Sequence, residues 1–145
     1  MAGSQQYNNH RQAVFGYHVV LAAVLMATFV GACVNLMHSV GDHQRLYSAS
    51  LLVVLTAAVM AVAFYARAFA LKAQDRAIRA EEQLRHYVLT GRLLDPRLTV
   101  RQIVGLRFAS DAELPALATR AAESGLSSED IKKAVQVWRA DTYRV

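Results

Sequence analysis

The first 66 positions contain only three charged residues, Arg11, Asp42 and Arg45. The other 24 lie between Arg67 and Arg144. A single soluble globule has no need of that split, because charged side chains spread over its whole solvated surface. Cysteine is scarce too. Cys33 stands alone, which excludes a disulfide scaffold and a cysteine-rich metal site. Two prolines and seven glycines in 145 residues exclude collagen-like and linker-like chains. The high hydrophobic content excludes a disordered chain. There is no glycine-rich phosphate loop, no paired-histidine helix motif and no nucleophile elbow. The adjacent acid pairs Glu81-Glu82 and Glu129-Asp130 have no histidines at ligand spacing, so no metal site is expected. The expectation is a chain that is not an enzyme and carries no cofactor.

What the chain has instead is two long apolar runs. Between Arg11 and Asp42 there is no Lys, Arg, Asp or Glu, and Leu46 to Ala66 is likewise free of charge. At ~1.5 Å per residue, each run is long enough to cross a hydrocarbon core of ~30 Å. The sequence therefore predicts an all-α membrane protein built on a two-helix transmembrane hairpin. The expected divisions are an N-terminal tail at 1–12, a first span at 13–38 and a turn at 39–45. A second span at 46–66, a helical extension at 67–90 and a helical unit at 91–145 follow. Val30-Gly31-Ala32-Cys33 loosely resembles a lipoprotein cleavage site. The apolar run is longer than a usual signal segment, however, so the reading is a retained span with Cys33 as an inert thiol.

Orientation follows from the lysine and arginine bias at the span ends. The turn has Arg45 alone. The far end of span two has the membrane-surface basic residues Arg67, Lys72, Arg76 and Arg79, and the tail has Arg11. Both termini are expected in the cytoplasm, with the bilayer itself as one partner. Phe15, Tyr17, Phe64, Tyr65 and Phe69 would sit near the cytoplasmic interface, and Tyr47 near the other.

Helices in lipid associate through close packing and polar contacts, because the surrounding tails are as apolar as leucine. Span one has Ala23, Ala27, Gly31 and Asn35, each four apart, and span two has Ala57 and Ala61. These strips either pack the two spans on each other or face another subunit. Polar residues inside a span are functional suspects. Here they are His18, Thr28, Asn35 and His38. His18 and His38 lie ~30 Å apart on a helix, near opposite faces of the membrane. They are weak candidates for haem or quinone contact, and haem would need a histidine from another chain.

From Asp42 to Thr90 there is neither glycine nor proline. The pattern predicts one continuous helix from about Arg45 to Leu89, stopped by Gly91. Its second half carries Ala70, Ala73, Ala77, Ala80, Leu84 and Tyr87, a heptad seam. The seam either packs on the chain's own C-terminal helices or pairs with another copy as a stalk.

Residues 95–145 read as three short amphipathic helices. Thr99 and Gln102 have capping-box spacing before Ile103, Val104 and Phe108. Ser110 and Glu113 repeat it before Leu114 and Leu117, and Gly125 ends that helix. Ser127 or Ser128 caps the third, with Ile131, Ala134, Val135 and Trp138 on one face. The expected core is Ile103, Val104, Phe108, Leu114, Leu117, Ile131, Val135 and Trp138. Arg107, Asp111, Arg139, Asp141 and Arg144 are expected to form ion pairs that tie the tail down. Nucleic-acid binding is disfavoured, because residues 67–145 net only +4, from 14 basic and 10 acidic groups, and the third helix spends its face on apolar residues.

Arg107-Phe-Ala-Ser-Asp-Ala-Glu-Leu-Pro115, Ile131-Lys-Lys-Ala134 and Trp138-Arg-Ala-Asp-Thr-Tyr-Arg144 resemble the C-terminal signature of a family of small bacterial two-span membrane proteins with no assigned function. Gln74-Asp-Arg-Ala-Ile-Arg-Ala-Glu-Glu82 resembles that family's post-membrane helix. The resemblance implies a bacterial inner-membrane location and the same layout, and it supplies no catalytic residues. The expected function is association, as an accessory or assembly subunit of a larger membrane complex or as a homo-oligomer. The alternatives are a redox subunit holding haem or contacting quinone, and a membrane-tethered regulator with a partner-binding helical unit. No small-molecule substrate is identified.

Overall fold

The computed structural model describes residues 6, 7 and 14–141, and among them the regular elements are all helices, with one isolated bridge besides. The first apolar run forms helix α1, Gly16–His38, which opens as a π-helix over Gly16–Leu21 and continues as an α-helix over Ala22–His38. The second helix, α2, is His43–Thr90, 48 residues without a break. Three short helices follow: α3, Val100–Leu106, α4, Leu114–Ser124, and α5, Ser128–Ala134. Contacts divide the chain into two units. One is Ala13–Ala70, and the other runs from Leu71 onward and includes Tyr7.

In the first unit the break between the helices is shorter than the expected 39–45. It comprises Ser39 to Asp42, because the Asp42 carboxylate accepts from the amides of Gln44 and Arg45, both at 3.2 Å, and so starts α2 at His43. Hydroxyls along these helices bond back to their own carbonyls. Thr28 donates to Val24 at 2.7 Å, Ser39 to Asn35 at 2.8 Å and Thr56 to Leu52 at 2.8 Å. Such bonds leave no hydroxyl wanting water in an apolar medium. Tyr17 donates to the carbonyl of Ala63, which ties the start of α1 to α2.

The covered positions of this unit are not the small-residue strips. On α1 they include Tyr17, Leu25, Phe29, Ala32, Cys33 and Leu36, with Ser39 just past its end, and on α2 Leu46, Ala49, Ser50, Val53, Thr56, Met60 and Ala63. The most enclosed of them are themselves small, Ala32, Ser39 and Ala49, and the larger side chains around them are half-buried. Ala23, Ala27, Gly31 and Asn35 are exposed, as are Ala57 and Ala61. Packing of the two apolar helices through those strips is therefore not what the chain does.

The second unit is built on caps and one close helix crossing. Thr99 and Gln102 form the expected reciprocal box, which starts α3. Gly91 and Gly125 take the left-handed conformation that ends α2 and α4. The Ser127 hydroxyl accepts from the Asp130 amide at 3.1 Å and starts α5. The second expected capping box does not form. The carboxylate of Glu113 is drawn away to accept from the amides of Gln136 and Val137, and α4 begins at Leu114 with Pro115 in its first turn. The third helix also stops sooner than its apolar spacing implied. Val135 is extended, and Trp138 lies on a returning segment that bridges Ala109. Both still join the core, because the segment doubles back over it.

Ile103, Leu106, Phe108, Leu114 and Ile131 are the largest fully enclosed side chains, and the Phe108 and Trp138 rings lie 4.8 Å apart. Leu117 and Val135 are buried, while Val104 and Trp138 are half-buried. Leu94 and Leu98, in the link after α2, complete the core from outside any helix. Gly105 lets α3 approach α5. A Cβ there would sit 3.0 Å from the Ser128 carbonyl oxygen and 3.3 Å from an Ile131 methyl. That carbonyl belongs to the capped first turn of α5 and has little room to move. Gly105→Ala is therefore expected to lower stability by about 1 kcal/mol, the overpacking cost exceeding the gain in helix propensity. A thermal melt of the full chain, followed by the fluorescence of its only tryptophan, checks this; a raised midpoint would contradict it.

Candidate association surfaces and a buried ion network

In its second half α2 shows two faces of different character. One face carries Ile78, Glu82 and His86, spaced four apart and all buried. The segment after the helix folds back on this side. The His86 ring Nδ1 donates to the Arg92 carbonyl at 2.7 Å, and the Gln83 side-chain oxygen accepts from the Leu94 amide at 3.0 Å.

Arg85 joins the helix to the C-terminal core. Its guanidinium donates to Glu82 at 3.0 Å, to Asp111 at 2.7 Å and to the Ala109 carbonyl at 2.7 Å. Glu82 is 5% exposed and also faces Arg139 at 3.6 Å. Arg107 lies over the Phe108 ring at 4.7 Å and pairs with Asp141 at 3.2 Å. Burial pushes the Arg107 guanidinium down from its ordinary value, against the pull of Asp141. Glu82, Arg107, Arg139 and Asp141 line a cleft of about 330 Å³ together with Gln74, Ala77, Ile78 and Glu81. Its acids and bases oppose one another at short range, so its chemistry is that of a clasp on the returning segment.

The expected ion pairs are thus partly realised. Arg107 holds Asp141, and Arg139 reaches Glu82. Asp111 serves Arg85 rather than the tail, and Arg144 falls outside the described residues. Arg85 and His86 are not singled out by the sequence, and Glu82 only as half of an acid pair. The signal for them was faint: polar residues on the helix face opposite the apolar seam.

That seam is the other face. Ala73, Ala77, Ala80, Leu84 and Tyr87 are exposed, and Ala70 is half-buried. The seam therefore does not pack on the chain's own helices, because Ile78, Glu82, Arg85 and His86 take that role from the opposite side. Leu84 is 64% and Val88 74% exposed, large values for apolar side chains. Arg67 is half-buried, and Lys72, Arg76 and Arg79 are exposed.

Of the two histidine candidates, His18 sits edge-on to Tyr17 with ring centroids 5.4 Å apart, and its Nδ1 lies 3.0 Å from the Val14 carbonyl. His38 is exposed at the end of α1. Asn35 is exposed one turn earlier. Among the described residues no three His, Cys, Asp or Glu side chains form a group able to hold a metal. Tyr7 donates to Glu129 at 2.6 Å and lies beside Lys133. The hydrogen bond to Glu129 raises the tyrosine's pKa and lowers the carboxylate's, since each keeps the form that the bond requires.

Taken together, these features define an all-helical protein. Two of its helices, Gly16–His38 and His43–Thr90, are long and apolar enough to cross a membrane, and it carries a capped helical unit with its own core. The chain belongs to a family of unknown function, DUF6526, whose model matches residues 1–145. Neither the curated proteins nor the solved structures contain a match to it.

Proposed function

We propose that this chain is a non-enzymatic integral membrane protein of the bacterial inner membrane that acts by association, as an accessory or assembly subunit of a larger complex or as a homo-oligomer. The bare apolar faces carry this reading. The most apolar windows of the two long helices are 0% and 6% buried within the chain, where the core helix of a soluble fold is mostly buried, and this supports the membrane reading. A bilayer covers such surface, and in a bilayer the exposed strip Ala23, Ala27, Gly31 and Asn35 is a packing face for another helix.

Both ends lie in the cytoplasm in this reading. The basic residues Arg67, Lys72, Arg76 and Arg79 after the second span support that side. The Tyr7 bond to Glu129 supports a return of the chain to the side it started from. The basic residues act first as topology signals and then as attraction to an anionic leaflet, about 1 kcal/mol for each one near the surface.

Membrane fractionation of the full chain, followed by extraction in mild detergent and native mass measurement, tests the reading. The expected result is a membrane-bound species heavier than one 16.0 kDa chain. A soluble protein, or a lone detergent-bound monomer, would overturn it.

A further inference from the structure

The second half of α2 is clothed on one side only, and its bare side has the register of a parallel helix pair. Assigning Ala70, Ala77 and Leu84 to heptad position a places Ala73, Ala80 and Tyr87 at d. Ile78 and Arg85 then fall at b, His86 at c, and Asp75 and Glu82 at f. The chain's own C-terminal unit covers or half-covers these positions, and its cover reaches Gln74 at e and Gln83 at g. The covered face is centred opposite the a/d seam; Ala77 borders the cleft beneath the returning segment, yet Ala73, Ala77, Ala80, Leu84 and Tyr87 all stay exposed.

The flanking charges choose the partner. Arg76 falls at g and Glu81 at e. In a parallel pair in register, g of one helix meets e of the other five residues further on. Arg76 of each copy therefore meets Glu81 of the other, and two opposite-charge pairs form. Both side chains are exposed and neither is within salt-bridge distance of a partner among the described residues, although Glu81 borders the cleft that holds Arg107 and Arg139. An antiparallel pair, or a register slipped by a heptad, loses that match. Val88 falls at e beside Leu84, where it extends the apolar contact. A groove of about 350 Å³ lined by Glu81, Leu84, Arg85, Val88, Leu89 and Asp111 opens at this end of the seam.

We propose that a second copy of this chain docks on the exposed seam Ala73, Ala77, Ala80, Leu84 and Tyr87, parallel and in register, with Arg76 and Glu81 paired across the interface. The proposal rests on the association reading and names its partner. Two copies inserted in one membrane with one topology already run parallel, and confinement to the bilayer raises their effective concentration. Fewer than three heptads therefore suffice where free helices of that length would separate. Alanine at three of the five positions sets a close approach of the backbones.

Cysteine cross-linking of the full chain in native membranes tests it. In a Cys33→Ser background, Ala80→Cys places a thiol at d, and Arg79→Cys places one at c on the far side of the helix. Oxidation is expected to give a band at twice 16.0 kDa from Ala80→Cys and none from Arg79→Cys. Adding Glu81→Arg to the Ala80→Cys chain puts Arg76 against arginine, and the band is expected to disappear. Adding Arg76→Glu as well restores opposite charges and brings the band back.

Equal cross-linking from both cysteines, or a band indifferent to Glu81→Arg, would overturn the proposal. If Ala80→Cys gives no band while the native mass in mild detergent still exceeds one chain, this seam is refuted and the association reading survives. A monomer in both measurements sinks both.

Discussion

Phe108→Ala is expected to remove about 3–5 kcal/mol from the C-terminal helical unit, the usual cost of truncating a buried phenylalanine. Phe108 is 0% exposed at the turn between α3 and α4. Its ring meets Trp138 on the returning segment and carries the Arg107 guanidinium on its face. The alanine leaves a cavity that three separate pieces of chain would have to close. It also strips Arg107 of the ring beneath its buried charge. The unit is small, and small domains have little stability to spare. The variant is therefore expected to be largely open near body temperature. Trp138 reports this directly, because opening exposes a half-buried indole to water. Limited proteolysis of the full chain gives an independent readout, with new cleavage expected after Arg101, Arg107 and Arg120. A melting midpoint and cleavage pattern like those of the parent chain would show that Phe108 is not the centre of this core.

Arg85→Met is the second large effect, for a different reason. The arginine satisfies three acceptors at once, and one of them, Glu82, is almost wholly enclosed. Removing one partner of a buried pair leaves an uncompensated charge and costs about 3–5 kcal/mol. Arg139 at 3.6 Å from Glu82 offsets part of this, so the lower end of that range is expected. The double variant Arg85→Met, Glu82→Met tests the physics. It removes both charges and is expected to be more stable than the single variant. A deficit of about 1–3 kcal/mol should remain from the Ala109 carbonyl, which loses its donor. Thermal melts of the parent, the double variant and the two single variants, Arg85→Met and Glu82→Met, make a complete cycle. A single variant within about 0.5 kcal/mol of the parent would mean that Arg85 behaves as an ordinary surface residue.

These two positions differ in how far they could be read from sequence. Phe108 was expected in the core, because Ile103, Val104 and Phe108 share a helical period after a strong cap. Arg85 was not, because its acceptors lie up to 26 residues away on a turn that no local pattern places. The same contrast holds for the caps. Thr99 with Gln102 and Ser110 with Glu113 have identical spacing, yet only the first pair closes into a box. Glu113 instead finds two unpaired amides at Gln136 and Val137, 23 and 24 residues further on, once the C-terminal segment turns back. Trp138 was placed in the core by a spacing that assumed a helix still running. The core placement holds because the segment returns over Phe108 by another route.

By itself the sequence determined what depends on neighbours along the chain. The two charge-free runs, the unbroken helix ending at Gly91, the cap at Thr99 and a cap at Ser127 or Ser128 follow from backbone hydrogen bonding and helical period, which act over a few residues. Only the tertiary structure decided which side of each helix is covered. On α1 and α2 the positions around Ala32, Ser39 and Ala49 took that place from the expected strips. In the second half of α2 the covered side is Ile78, Glu82, Arg85 and His86, and the heptad seam lies bare. Both faces of that helix have a regular period, and period alone does not say which one the rest of the chain reaches first. That choice was made by contacts distant in sequence, chiefly Arg85 on Asp111 and Ala109, whose free energy exists only once the chain has folded back.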